Sequence, residues 1–344
     1  MSTTATSTPS QLRRDGAIDL LRALLVVYVI AYLHLGGYVA DGQRHVHWAT
    51  VAITNVVLGT FTFLSGYVLG IWKGRAGGAE IAVFYWRRLL RIYPLYLLAL
   101  AGFVLLWLCD LQTAVKAAFA VSMFWPEPPM TLWFVTMIIV CYTLAPALII
   151  PSPRRGLLVG AGLWLAMLAF NFGVHELDPR MLTQFAAFVA GIACRRLDLR
   201  TAAGRHLSVL AAAFAAALAA AIATLHRPLL GAIVAVPSVM LGPALMLAVA
   251  DRGFGELGRH RVVVFLSYVS FSAYLFHRIV FELVKRMVWP AHEWAQWVVL
   301  LVVGLPTVLV ASALIQSGYD RLITTLAASP AFKRRSAAPE SSSR

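Results

Sequence analysis

Apolar runs dominate this sequence and restrict what it can fold into. They fall at about 17–39, 49–72, 90–109, 131–150, 157–173, 181–194, 207–225, 229–250, 262–288 and 294–318. Most approach the roughly 20 residues that carry an α-helix across a bilayer. Backbone polar groups in hydrocarbon must be satisfied internally, which leaves helices or closed barrels. No run alternates apolar and polar residues as a barrel strand does. Only 13% of the 344 residues are charged, against about 25% in a soluble domain. The expectation is an all-α polytopic transmembrane bundle of about ten spans. A further stretch, 113–124, is too short to span and ends at Trp125-Pro126-Glu127-Pro128-Pro129, where proline forbids continuation. It is expected as a short re-entrant or interfacial helix.

A net charge of +14 would suit a nucleic-acid binder, but cytoplasmic loops of membrane proteins are rich in Lys and Arg for another reason. With the N-terminus inside and the spans alternating, 21 of the 29 Lys and Arg fall on inner segments and seven on the outer side. That bias puts both termini in the cytoplasm of a cell whose inner (plasma) membrane holds the protein, and no nucleic-acid partner is expected. The first apolar run follows a polar Ser/Thr segment, is long for a signal sequence and lacks a clear cleavage site, so no cleavable signal peptide is expected. Residues 1–16 and the Ser-rich tail 327–344 read as disordered cytoplasmic segments around a transmembrane domain at 17–326. In the tail, Lys333, Arg334 and Arg335 suit an anionic lipid surface. Cys109, Cys141 and Cys194 lie in or beside apolar runs without metal-type spacing and read as small hydrophobes. No internal repeat is visible, which disfavours inverted-repeat transporter folds.

Ionisable groups at membrane depth are expensive and mark candidate sites. Asp19 and Arg22 lie three apart at the start of the first span, on one helix face where they can pair. The stretch FYWRRLLRIYPLY, 84–96, places Arg87, Arg88 and Arg91 at the entrance of the third span, with Arg88 and Arg91 on one face. The plain reading is positive-inside signal. The sharper one is an anion seat, since guanidinium suits bidentate phosphate binding. His34 sits about 24 Å into a helix starting near 18, at 1.5 Å per residue. It is either a hydrogen-bonding residue or a general base suited to neutral pH. His277 in span nine reaches a similar depth, close to Tyr274, and Arg278 and Glu282 are four apart and expected to pair. Ser65 reads as a packing residue. No Gly-rich phosphate loop, nucleophile elbow or metal-ligand cluster appears.

Taken in order, IDLLRALLVVYVIAYLH, FTFLSGYVLG (61–70), FYWRRLLRIYPLY (84–96), LWFVTMIIVCYTLAP (132–146) and YVSFSAYLFH (268–277) resemble the acyltransferase 3 family of integral membrane acyltransferases, which modify glycans and related acceptors. The resemblance covers essentially the whole chain. It implies transfer of an acyl group, commonly acetyl, from acyl-CoA (acetyl-CoA as the expected donor) to a hydroxyl of a carbohydrate, with no metal. The family's helix-one arginine matches Arg22 and its essential histidine matches His34. Its paired arginines match Arg88 and Arg91, expected to hold the donor, and Tyr274 and His277 are expected to position the acceptor. No esterase domain of the SGNH type follows, so the chain would act alone or with a separate partner.

Two departures stand out. The family usually has ten residues between the helix-one arginine and histidine, and here there are eleven. At about 100° per residue, a separation of twelve positions turns the two side chains roughly 120° apart, where eleven would bring them within about 20°. A π-bulge or kink between Leu24 and Leu33 is therefore expected to absorb the extra residue. Second, several glycan acetylators carry a Glu shortly after the tryptophan of the fourth block. Here Trp133 is followed by Phe134-Val-Thr-Met-Ile138, with no acid. The rival reading from another class is a multi-span transporter or flippase of a small solute or lipid-linked sugar. A third is a non-catalytic sensor on the same fold.

Overall fold

The computed structural model describes residues 15–39, 47–72, 77–125, 127–174 and 176–328. Most of the expected tails 1–16 and 327–344, namely 1–14 and 329–344 with Lys333, Arg334 and Arg335, lies outside the described residues; Gly16 begins the first helix and Ala328 ends the last. Helices and their connections make up the whole described chain, and no strand occurs among the described residues.

Among the described residues thirteen α-helices follow one another: α1 (Gly16–Val27), α2 (Trp48–Leu69), α3 (Gly78–Leu105), α4 (Leu111–Ala118), α5 (Trp133–Ile149), α6 (Pro153–Val174), α7 (Arg180–Arg196), α8 (Leu199–Arg205), α9 (Leu207–Ala223), α10 (Pro228–Val249), α11 (Arg261–Met287), α12 (Glu293–Val299) and α13 (Leu305–Ala328). Seven segments among the described residues are long and apolar enough to cross a membrane, and an eighth if α8 and α9 form one span broken by a 94° bend. The expected count of about ten is thus not confirmed. Helices α5, α7 and α9 are 17 residues each, only about 26 Å at the rise of 1.5 Å per residue. Helix α7 also lacks a uniformly apolar surface, for a physical reason. It is packed between α2, α10, α6 and α5, and Thr183 and Gln184 are buried. The Thr62 hydroxyl donates to Gln184 Oε1 at 2.9 Å. A helix shielded from lipid by its neighbours has no need of a greasy exterior.

Glycine sets how near α2 and α7 approach. A Cβ at Gly191 would stand 2.0 Å from the Phe63 carbonyl oxygen, and one at Gly66 2.2 Å from that of Phe188. Membrane helices lack a hydrophobic drive to associate and rely on such close packing. Ser65 beside it donates to its own helix at Phe61 O, 2.9 Å away.

Helix α3 starts at Gly78, well before the expected edge at 90, so Arg87, Arg88 and Arg91 stand within a helix rather than in the loop before it. Pro94 lies inside that helix and has no N–H for the carbonyl of Leu90. The Tyr319 hydroxyl of α13 donates to that carbonyl instead, so the backbone acceptor is satisfied. The expected short helix is α4, capped by Asp110, whose carboxylate accepts from Thr113 N at 2.8 Å. The Tyr96 hydroxyl reaches from α3 to Ala117 O at 3.2 Å and that of Tyr93 to Ala118 O.

The element that positions the site is α1. Asp15 caps it, accepting from Ala17 N and Ile18 N at 3.2 and 3.5 Å. After Val27 the helix changes type: Tyr28–His34 is a π-helix, followed by a 3₁₀ turn at Gly36–Tyr38. The expected irregularity is present in the expected window. Hydrogen bonding to i+5 wraps one extra residue into the turn. Val26, Ile30 and Leu35 of this segment pack against Ala273, Phe281 and Leu300 in an apolar cluster.

Candidate functional site

Two groups of polar side chains mark opposite ends of α1. At its N-terminal end, Arg22 lies close enough to Arg91, Tyr142 and Asp19 for direct electrostatic interaction. Arg88 likewise meets Tyr142, Arg91 and Arg87, and its guanidinium carbon lies 5.5 Å from the Tyr142 ring and 5.6 Å from that of Phe84. Arg22, distant in sequence, thus joins Arg88 and Arg91, and both Arg22 and Arg88 meet the Tyr142 phenol. None of the ion pairs among the described residues includes Arg22, Arg88 or Arg91. Asp19, the nearby carboxylate, accepts a 2.6 Å hydrogen bond from Ser267. The result is a surplus of positive charge at one end of the bundle, beside a cavity of about 400 Å³ lined by Trp72, Glu80, Phe84, Arg87 and Arg88. Such a cluster suits an anion with several oxygens.

At the other end, the π turn swings His34 onto α11. Its ring stacks on His277 with centroids 4.8 Å apart and planes within 4°. His277 is fully buried. Its Nδ1 lies 2.8 Å from the Tyr274 carbonyl oxygen and 3.3 Å from that of Ala273. A carbonyl can only accept, so Nδ1 carries the proton and Nε2 is left as an acceptor. Tyr274 is 6.0 Å from His277, centroid to centroid, and its hydroxyl donates to Thr131 O.

Five buried side-chain polar atoms among the described residues have no protein partner: His34 Nδ1, Thr131 Oγ1, His277 Nε2, Arg278 Nε and Ser312 Oγ. Buried polar groups are nearly always satisfied, so each exception asks for a reason. The first four belong to residues of one neighbourhood. His34 and His277 are stacked, Arg278 adjoins His277 in sequence, Arg278 Nη1 donates to Met130 Sδ at 3.2 Å, and Thr131 follows Met130. A concentration of unmet hydrogen-bonding capacity inside an apolar bundle is the signature of a site built for a polar ligand. A cavity of about 580 Å³ opens at the same end; its wall is mainly apolar but includes Asn55, Ser122, Glu127, Asp178, Arg180 and Thr183. Arg180 is held there by Asp178 at 2.5 Å, with its guanidinium carbon 4.0 Å from the centre of the Trp133 ring.

The structure therefore brings Arg22 together with Arg88 and Arg91, and His34 together with His277 and Tyr274. It corrects one pairing: Glu282 engages Arg286 at 2.8 Å rather than Arg278, because Arg278 turns toward Met130 and Tyr38. Sequence reasoning missed Tyr142 and Thr131. Both lie in or next to the fourth block, where one hydroxyl among apolar residues carries no visible signal.

A family model described as an acyltransferase domain matches residues 15–316. No curated protein and no solved structure matches the chain.

Proposed function

Because this chain belongs to the acyltransferase 3 family of membrane proteins, we propose that it moves an acyl group, acetyl in the first instance, from cytoplasmic acyl-CoA to a hydroxyl of a carbohydrate bound for the cell surface, with His34 as general base. The observation that carries this reading is the stacked His34–His277 pair with its unpartnered nitrogens, set along α1 from a cluster of three arginines. In this reading the arginine end faces the cytoplasm of a cell bounded by the inner membrane, and both chain termini lie there. Arg22, Arg88 and Arg91 hold the phosphates of the donor. The pantetheine arm runs along α1 toward His34, about 18 Å for twelve residues of regular helix. That figure is an upper bound, since a wider π turn rises less per residue than a regular α-helix.

His34 accepts the proton of the acceptor hydroxyl as its oxygen attacks the thioester carbon. Positioned general-base catalysis contributes about 10²–10⁴-fold, and fixing both reactants contributes more. His277, held by Tyr274 O, presents Nε2 as an acceptor for a second hydroxyl of the sugar. The cavity at this end, with Asn55, Glu127, Asp178 and Arg180 set among apolar residues, suits a hydroxylated acceptor.

The test is binding first and chemistry second. Acetyl-CoA should raise the melting temperature of the purified protein, as any ligand of the folded state alone must, by the equivalent of about 2.7 kcal/mol at a hundredfold excess over Kd. Arg88→Ala and Arg91→Ala should raise the KM for acetyl-CoA with little change in kcat. Loss of acylated carbohydrate from a deletion strain, read by mass spectrometry against its parent, should identify the acceptor. No melting shift with acetyl-CoA or any longer acyl-CoA would defeat the donor assignment.

A further inference from the structure

We infer that Arg278, with the neighbouring Thr131 hydroxyl, binds the oxyanion formed when the acceptor attacks the thioester. This inference rests on the acyl-transfer reading above and adds a catalytic residue to it.

Arg278 is free for the task because its expected partner is taken. Glu282 pairs with Arg286, whose Nη2 also donates to Leu106 O at 2.7 Å. What holds Arg278 includes no carboxylate among the described residues. Its Nη1 meets a thioether, a poor acceptor, at Met130, and its guanidinium lies against Tyr38, 5.8 Å from the ring and in reach of the phenol oxygen. Its backbone carbonyl accepts from the Tyr38 hydroxyl at 3.2 Å, which fixes this turn of α11 against the segment after the π turn. Meanwhile Nε is buried without a protein partner, and so is the Thr131 hydroxyl. A half-buried guanidinium whose Nε is buried without a counter-ion is expensive in a membrane bundle. An anion that appears only during reaction would use it without neutralising it at rest.

Position supports the same role. The charge of Arg278 is close enough to act on both imidazoles. Arg22, Arg88 and Arg91 lie at the opposite end of α1, and Arg180 is engaged by Asp178. Among the described residues, Arg278 is thus a cation placed where a thioester beside His34 would develop negative charge. In the step, a C–O bond forms between the acceptor oxygen and the thioester carbon. The carbonyl π pair moves onto oxygen, where Arg278 and Thr131 meet it, and the hydroxyl proton passes to His34. Collapse restores C=O and breaks C–S. The proton then moves from His34 to the departing thiolate, giving the ester and free CoA thiol. Preorganised donors aimed at the oxyanion are worth about 10²–10³-fold each in kcat.

The experiment uses the full chain in nanodiscs, with acetyl-CoA as donor and methyl glucoside as acceptor probe, following thiol release. Arg278→Met should lower kcat about 10²–10³-fold with both KM values nearly unchanged. Arg278→Lys should recover part of it, and Thr131→Val should lose less than Arg278→Met. Arg286→Gln is the control and should keep wild-type kcat. Wild-type kcat in Arg278→Met, or a raised methyl glucoside KM at unchanged kcat, overturns the assignment. So does an equal loss in Arg286→Gln, which would make the effect a general one. A second measurement stands apart from turnover: a phosphonate analogue of acetyl-CoA, tetrahedral and anionic at the reacting carbon, should bind wild type more tightly than acetyl-CoA does. Arg278→Met should lose that preference and keep its acetyl-CoA affinity. If the preference survives in Arg278→Met, the inference fails while the acyl-transfer reading stands. If wild type binds neither compound, the reading itself fails and takes the inference with it.

Discussion

A histidine in a membrane helix has two ordinary fates, a structural hydrogen bond or a functional one, and the two histidines here divide between them. His277 has its Nδ1 proton committed to the Tyr274 carbonyl, so part of its role is to lock its own ring. His34 makes no hydrogen bond among the described residues, and its Nδ1 is buried and unpartnered. A side chain that contributes no bond to the fold should be removable at little thermodynamic loss. His34→Ala is therefore expected to keep the wild-type melting temperature within a few degrees while losing about 10²–10⁴-fold in acyl-transfer rate. Parallel thermal unfolding and thiol-release assays check both halves. His277→Ala should behave differently. It empties a fully buried site and should lower stability by about 2 kcal/mol or more as well as activity.

At the scale of the element, the π turn Tyr28–His34 reconciles the spacing of Arg22 and His34 with a single helix. Without it, twelve residues of α-helix would leave His34 roughly 120° away from the face of Arg22. Two more π segments, Ala250–Phe254 and Leu300–Gly304, occur among the described residues, so a π turn alone does not mark a site. The first is distinguished by what it delivers to α11. Tyr32 is an exposed residue of the turn. Deleting it should convert the turn to α-helix, keep His34 on His277 and preserve activity. Inserting an alanine after Tyr32 should rotate His34 by a further 100° or so and abolish activity. Equal loss in both variants would refute the register account. Helix α3 offers a second test. Tyr319→Phe strips the donor from the Leu90 carbonyl beside Pro94, and an orphaned acceptor costs about 1–3 kcal/mol, measurable as a lowered melting temperature.

The whole molecule is held by contacts that no single helix foretells. Gly66 and Gly191 let α2 and α7 meet at backbone distance, and Gly191→Val should destabilise the bundle by about 1–3 kcal/mol through overpacking. At the arginine end, Arg200 bonds both Asp15 and Asp251 and donates to the Tyr67 hydroxyl at 3.2 Å, joining α8 to the cap of α1, the π end of α10 and α2. Burial pulls the Asp15 carboxyl upward, but Arg200 and the capping N–H groups outweigh it and hold it below its ordinary value of 3.8. Its contribution is therefore present above the unfolded carboxylate range near pH 3.9 and is lost as pH falls through the lower folded value. Melting temperature should fall more steeply below pH 4 in the wild type than in Asp15→Asn. Apolar runs and their intervals were enough to establish an all-helical membrane bundle, because hydrocarbon admits few backbone solutions and every span must advertise itself. The ordered blocks likewise pointed to Arg22, His34, Arg88 and Arg91, since charges among apolar residues are conspicuous. A full span count was not legible, because the runs at 131–150, 181–194 and 207–225 fold into helices of only 17 residues each, and where a helix ends depends on how its neighbours pack. Which charges face one another was not legible either. Arg278 and Glu282 fit a helical pair by spacing, yet the packing gave Glu282 to Arg286 and turned Arg278 toward Met130 and Tyr38. Helix-forming segments are set by local chain chemistry, whereas the partners of a side chain depend on which surfaces pack, and only the tertiary structure decides that.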